Sequence, residues 1–208
     1  MRQHLKFYYG TMASSKTLRL LATAYDFEEK AIQILTMKPS TDTRDGEGFI
    51  HSRAGLSRPC ITIEPNLNLY EAVKKYNDYL KSEKNEELKW VIIDECQFLK
   101  REQVDQLSDV VDILNIGVMC YGLRTDFKSN LFEGSKRLFE LADDIEEVKS
   151  TCECGERKTS INARFNEHGE MLTDGEQVEI GGNERYKAIC RKCWKEKIKN
   201  IKKNLQND

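Results

Sequence analysis

Residues Gly10 to Thr17 read Gly-Thr-Met-Ala-Ser-Ser-Lys-Thr and come directly after the apolar run Leu5–Tyr9. An apolar strand that passes through a short polar loop into Lys-Thr has few ways to fold. The loop feeds a helix, and the first N–H groups of a helix have no intrahelical acceptor and point at an anion. The pattern for a phosphate-binding loop is G-x-x-x-x-G-K-[ST]. Gly10, Lys16 and Thr17 match it, and Ser15 stands where the second glycine is expected. In that reading Thr11, Met12, Ala13, Ser14 and Ser15 form the cradle. Lys16 reaches the β- and γ-phosphates, and the Thr17 hydroxyl ligates Mg²⁺. A non-glycine residue in a left-handed conformation costs about 1–2 kcal/mol, so the effect of Ser15 depends on its φ. The plain alternative is a strand, a serine-rich turn and a helix capped by Ser14 or Ser15.

A second segment points the same way. Lys89-Trp90-Val91-Ile92-Ile93 is short and rich in β-branched residues, the pattern of a buried strand. It ends in Asp94-Glu95-Cys96-Gln97. Open α/β sheets bind ligands outside the carboxyl ends of their strands, and an Asp in that position of a P-loop protein holds Mg²⁺. Glu95 points away from Asp94 if the strand continues, and turns into the cleft if the strand stops. In the second case one acid serves the metal and the next serves as a base. The alternative is an acidic strand end that caps the next helix.

Strand and helix patterns alternate along most of the chain. Strands are predicted at Leu5–Tyr9, Ala31–Met37, Cys60–Ile63, Trp90–Asp94, Gly117–Leu123 and Ile145–Lys149. Helices are predicted at Lys16–Tyr25, Leu69–Ser82, Arg101–Leu114 and about Ser135–Ala142. This alternation predicts an α/β fold, a mostly parallel P-loop sheet with helices on both faces. Two polar segments, Lys38–Pro59 and Arg164–Tyr186, are long enough to be binding loops. The expected division is a nucleotide-binding domain over 1–150, a small zinc-ribbon lobe over 151–194 carrying a lasso loop, and a Lys-rich tail over 195–208.

Seven cysteines fall into two groups. Cys60, Cys96 and Cys120 are isolated, and Cys96 and Cys120 suit buried strand positions. Cys152-Glu-Cys154-Gly and Cys190-Arg-Lys-Cys193 are close pairs with 35 residues between them. That spacing suggests a Cys₄ structural zinc site, and Gly155 suits the tight turn of a knuckle. Disulfides are the alternative, disfavoured because no secretory signal is visible at the start of the chain.

The charge balance narrows the function classes. The chain has 208 residues, is 33% charged and carries a net charge of −2. A nucleic-acid binder would carry a basic face. The local exception is the segment from Lys192 to Lys203, read as a solvated helical end, with a phosphate-backbone contact as the minority reading. No apolar stretch is long enough to span a bilayer, so neither nucleic acid nor membrane is expected as a partner, and the chain is expected in the cytoplasm.

Taken in order, these motifs resemble the type II thymidine kinases, the zinc-containing cytosolic group. The resemblance covers about residues 3–194. It rests on the loop ending Ser15-Lys16-Thr17, on Asp42-Thr43-Arg44 and on Ile93-Asp94-Glu95-Cys96-Gln97-Phe98. It also rests on Tyr121-Gly122-Leu123-Arg124-Thr125-Asp126-Phe127 and on the cysteine pairs flanking Ile180-Gly181-Gly182-Asn183-Glu184-Arg185-Tyr186. The C-x-C-G form and the run from Tyr121 to Phe127 look most like the enterobacterial and large-phage branch, which often has His at the position of Cys193. The resemblance implies transfer of the γ-phosphoryl of ATP, with Mg²⁺, to the 5′-hydroxyl of thymidine, and of deoxyuridine as well, giving dTMP and ADP for nucleotide salvage. It implies Glu95 as proton acceptor, with Asp94, Cys96, Gln97, Asp42 and Arg44 at the phosphate end. Leu123 and Phe127 correspond to residues that sandwich the base, Asn162 to the one facing the thymine methyl, and Tyr186 to a nucleoside contact. Backbone groups around Gln177–Ile180 are expected on the base edge, and a homotetramer or homodimer is implied. Ser15 departs from the family's glycine. It leaves open a catalytically impaired nucleotide-binding relative; a kinase of another deoxynucleoside is the other alternative, and a zinc-ribbon ATPase acting on nucleic acid is the outside case.

Overall fold

The computed structural model describes residues 3–42, 48–177 and 185–204. Six strands form one sheet. They are β1 (Leu5–Gly10), β2 (Ile34–Pro39), β5 (Ile61–Ile63), β6 (Trp90–Ile93), β7 (Gly117–Leu123) and β8 (Asp144–Glu147). Their order is β5-β2-β6-β7-β1-β8, and every neighbouring pair is parallel. Four helices pack against the sheet: α1 (Lys16–Glu29), α2 (Leu69–Tyr79), α3 (Arg101–Asp112) and α4 (Glu133–Leu141). A hairpin of β3 (Phe49–His51) and β4 (Ser57–Pro59) lies within the Lys38–Pro59 connector.

The strands alternate between the two faces of the sheet. Leu5, Phe7, Val91, Ile93, Val118 and Cys120 join one core with Val73 of α2, Val104 and Leu107 of α3 and Leu138 of α4. Ile92, Met119 and Tyr121 join the other core with Leu20, Leu21 and Ala24 of α1. Both faces are therefore covered, the arrangement that an all-parallel sheet requires.

Element ends depart from the sequence expectation where the backbone turns left-handed. Ala31 has φ 53 and donates its N–H to the Glu28 carbonyl. It closes α1 four residues beyond the expected end, so β2 begins at Ile34 rather than Ala31. The expected helix Leu69–Ser82 passes into a π turn over Leu80–Lys84, and Asn85 ends it at φ 54. Asn68 caps its start, its Oδ1 accepting the Glu71 N–H.

The four paired cysteines sit in a second lobe. A three-stranded antiparallel sheet in the order β10-β9-β11 is built from β9 (Ile161–Phe165), β10 (Met171–Leu172) and β11 (Tyr186–Ile189). The front of the predicted Arg164–Tyr186 loop is thus partly strand. Helix α5 (Arg191–Asn204) comes next, and its Trp194, Ile198 and Ile201 pack on Ala163, Phe165 and Met171. Lys192, Lys195, Lys197 and Lys199 lie on the exposed face of this helix.

Leu107 is fully buried in the larger core. Leu107→Ala is expected to cost about 2–5 kcal/mol, read as a lower urea midpoint with an unchanged slope. A loss below that range would show that the neighbours collapse into the gap.

Candidate active site

The carboxyl ends of β1, β6 and β7 converge on one edge, and the segments leaving these strand ends build the site. After β1 the loop packs too tightly for any side chain at Gly10. A Cβ there would meet Ser14 Oγ and the Val148 carbonyl, each at 2.5 Å. The loop then makes two left-handed turns, at Ala13 (φ 57) and Ser15 (φ 63). Ser15 is the N-cap residue of α1, with no side-chain capping bond. Lys16 folds back over the loop, its Nζ donating to the Thr11 carbonyl at 2.7 Å.

After β6 the strand stops at Ile93, and Glu95 turns left-handed at φ 50. This is the outcome that aims the second acid into the cleft. Thr17 Oγ1 donates to Asp94 Oδ2 at 3.0 Å, tying the start of α1 to the end of β6. Burial, and next the Glu95 charge, push the Asp94 carboxyl up to about 7; the bonds from Thr17 and the Glu95 N–H oppose this. A cation bound there would favour the ionised form.

Gln97 links this end to β7. Its Nε2 donates to Glu95 Oε2, and its Oε1 accepts the Leu123 N–H at 2.9 Å. The close approach needs Gly122, where a Cβ would lie 2.6 Å from Cys96 Sγ and 2.7 Å from Gln97 Oε1. The Cys96 side chain itself faces the core.

A cavity of about 470 Å³ opens above the loop. Residues 12–18, Glu95 and Leu123 line it, together with His51, Ser52, Arg53 and Ala54 from the turn of the β3–β4 hairpin. The length and polarity of Lys38–Pro59 marked that segment as a binding loop, but nothing in the pattern named these residues. Asp42 is buried, with its carboxylate 3.8 Å from Lys38 Nζ. Thr43 and Arg44 lie outside the described residues, as do residues 178–184 of the lasso.

The remaining expected nucleoside residues do not line this cavity. Phe127 is buried with the Arg164 guanidinium 3.8 Å above its ring. Arg164 Nη1 also donates to the Glu176 carbonyl at 3.1 Å and to the Tyr186 hydroxyl at 3.5 Å. Sequence reasoning missed Arg164, because a lone arginine in an apparent loop carries no local signal. Asn162 is buried against the phosphate loop, where its Oδ1 accepts the Met12 N–H.

In the second lobe Cys152, Cys154, Cys190 and Cys193 bring their sulfurs within 4.8 Å of one another. The Cys193 N–H bond lowers the Cys190 thiol, while a hydrogen bond with Cys190 raises the Cys193 thiol. Four thiol groups converging in this way could hold a metal ion.

Comparison with known proteins identifies the family. The family model described as "Thymidine kinase" matches residues 3–194. The thymidine kinase of Mannheimia succiniciproducens is 48% identical over 193 residues, which is 93% of this chain and 95% of that protein. That of Haemophilus influenzae is 44% identical, covering 95% and 98%, and that of Rhodopirellula baltica 44% identical, covering 93% and 89%. The chain belongs to the thymidine kinase family.

Proposed function

We propose that this chain is a thymidine kinase of nucleotide salvage, transferring the γ-phosphoryl of ATP to the 5′-hydroxyl of thymidine. The observation that carries the reading is the Thr17–Asp94 bond at 3.0 Å with Glu95 lining the same cavity as the phosphate loop, in a chain of this family. Phosphoryl transfer needs positioning and charge stabilisation more than covalent chemistry. The helix N-terminus and Lys16 supply positive potential for the phosphates. Glu95 accepts the 5′-hydroxyl proton as that oxygen bonds to the γ-phosphorus and ADP leaves. Gln97 holds Glu95 in place from the end of β7. Thr17 and Asp94 offer the hard oxygen ligands that suit Mg²⁺, which neutralises charge on the phosphates when bound. Leu123 is assigned to the base, as are Phe127 and Tyr186, which Arg164 joins to each other. Asp42 and Arg44 are assigned to the phosphate end.

The direct test is a phosphorylation assay with ATP and thymidine, deoxyuridine or deoxycytidine. Thymidine, and then deoxyuridine, should be the accepted substrates. Product from deoxycytidine alone would make the protein a kinase of another deoxynucleoside. No helix among the described residues is long and apolar enough to cross a membrane, and we place the protein in the cytoplasm. The active form is assigned as a homodimer or homotetramer, which light scattering on the purified protein would read.

Glu95→Gln should retain ADP binding and lower turnover by about 10²–10⁴-fold, the usual contribution of a positioned base. Turnover within a few-fold of the parent would remove Glu95 from that role.

We assign structural zinc to Cys152, Cys154, Cys190 and Cys193, since four thiolates leave no open position for water. Elemental analysis should find one zinc per chain, lost in Cys152→Ser and kept in Cys60→Ser. A folded, metal-free preparation would refute the assignment.

Ser15 lies in the left-handed region, and its side chain makes no capping bond to offset the strain. That strain is about 1–2 kcal/mol. Ser15→Gly should therefore improve ATP affinity or turnover by roughly 5- to 30-fold, the factor that matches this energy. A loss of activity would instead mean that the serine hydroxyl contacts a phosphate.

A further inference from the structure

The two faces of β9 go to different places. Ala163 and Phe165 belong to the core of the cysteine lobe. Asn162 and Arg164, on the other face, are 4% and 2% exposed and turn toward the larger domain. A buried amide is costly unless its hydrogen bonds are made. Asn162 makes them at both ends: Oδ1 accepts the Met12 N–H at 2.8 Å, and Nδ2 donates to the Thr125 carbonyl at 3.3 Å. The orientation of the amide is fixed by these partners, because Met12 offers only a donor and Thr125 only an acceptor. Next to it, Thr159 Oγ1 lies 2.7 Å from Thr11 Oγ1 and within hydrogen-bond reach of Ser150 Oγ. Consecutive residues of the phosphate loop, Thr11 and Met12, are thus held by side chains of the cysteine lobe.

The loop has reason to need this support. Met12 precedes Ala13 and Ser15, both left-handed without being glycine. Such conformations persist only where the surroundings over-determine them. The Asn162 bond fixes the N–H of the residue immediately before the first of these turns. It also occupies the polar groups of the residue that was expected to face the thymine methyl.

We propose that Asn162 is a positioning residue for the phosphate loop, through which the cysteine lobe is coupled to nucleotide binding. The inference rests on the reading that the cavity above this loop takes nucleotide phosphates. Asn162→Ala should weaken binding of a fluorescent N-methylanthraniloyl ADP by roughly 5- to 30-fold, the factor for losing the one hydrogen bond that reaches the phosphate loop. Metal content should be retained, and the ratio of kcat/KM for thymidine to that for deoxyuridine should not move. In the unsubstituted protein the Met12 amide should be protected from hydrogen exchange, since its N–H is bonded to the side chain of the buried Asn162. Unchanged ADP affinity with a shifted thymidine-to-deoxyuridine ratio would overturn the proposal and return Asn162 to the base. Fast exchange at Met12 would overturn it by itself, even if Asn162→Ala fails to fold. If the parent protein bound no ADP analogue, the nucleotide reading would fall, while exchange at Met12 would still decide whether Asn162 holds the loop.

Discussion

Parallel pairing of β6, β7 and β1 is the constraint on which the rest depends. It brings three strand ends to one edge of the sheet, where their backbone groups have no further ladder partners. The segments that leave these ends are then forced into the same small volume. The phosphate loop leaves β1, the acidic pair leaves β6, and Leu123 closes β7. Gln97 spans the last two, and Thr17 with Asp94 spans the first two. The site is a set of side chains bridging the ends of strands that are distant in sequence and lie side by side, or one strand apart, in the sheet.

Glycine is placed where such bridging brings backbone and side chains closest. At Gly10 and Gly122 a Cβ would collide with neighbouring atoms, so the requirement there is space rather than left-handed φ. At residue 15 the requirement is conformational, and this chain meets it with serine. The same motif thus contains one glycine kept for packing and one position where the backbone tolerates strain. The Asn162 bond to Met12 falls two residues from Gly10 and one from Ala13, where the loop has the least conformational freedom to spare.

Much of the fold was legible because buried parallel strands and amphipathic helices write their period into the sequence. Trp90–Ile93 and Gly117–Leu123 are apolar on both faces, and α3 repeats Val104, Leu107 and Val111 on one side. The ends of elements were less legible. Ala31 and Asn85 end their helical segments through left-handed turns that neither residue type demands. Strand β9 was missed because Ile161-Asn-Ala-Arg-Phe165 alternates apolar with polar residues that are buried all the same. Its polar members read as solvent-facing until the larger domain is seen to cover them.

The sequence by itself determined the chemistry: a lysine-threonine loop after a strand, two acids after another, and two close cysteine pairs. Covalent order is enough for these, because each motif is built from residues a few positions apart. Only the tertiary structure decided which way Glu95 turns and that Ser15 is left-handed. Only it showed that the β3–β4 turn faces the phosphate loop and that Asn162 is joined to Met12. Those outcomes depend on contacts between segments up to 150 residues apart. Sheet order and packing, rather than local preference, bring such segments together.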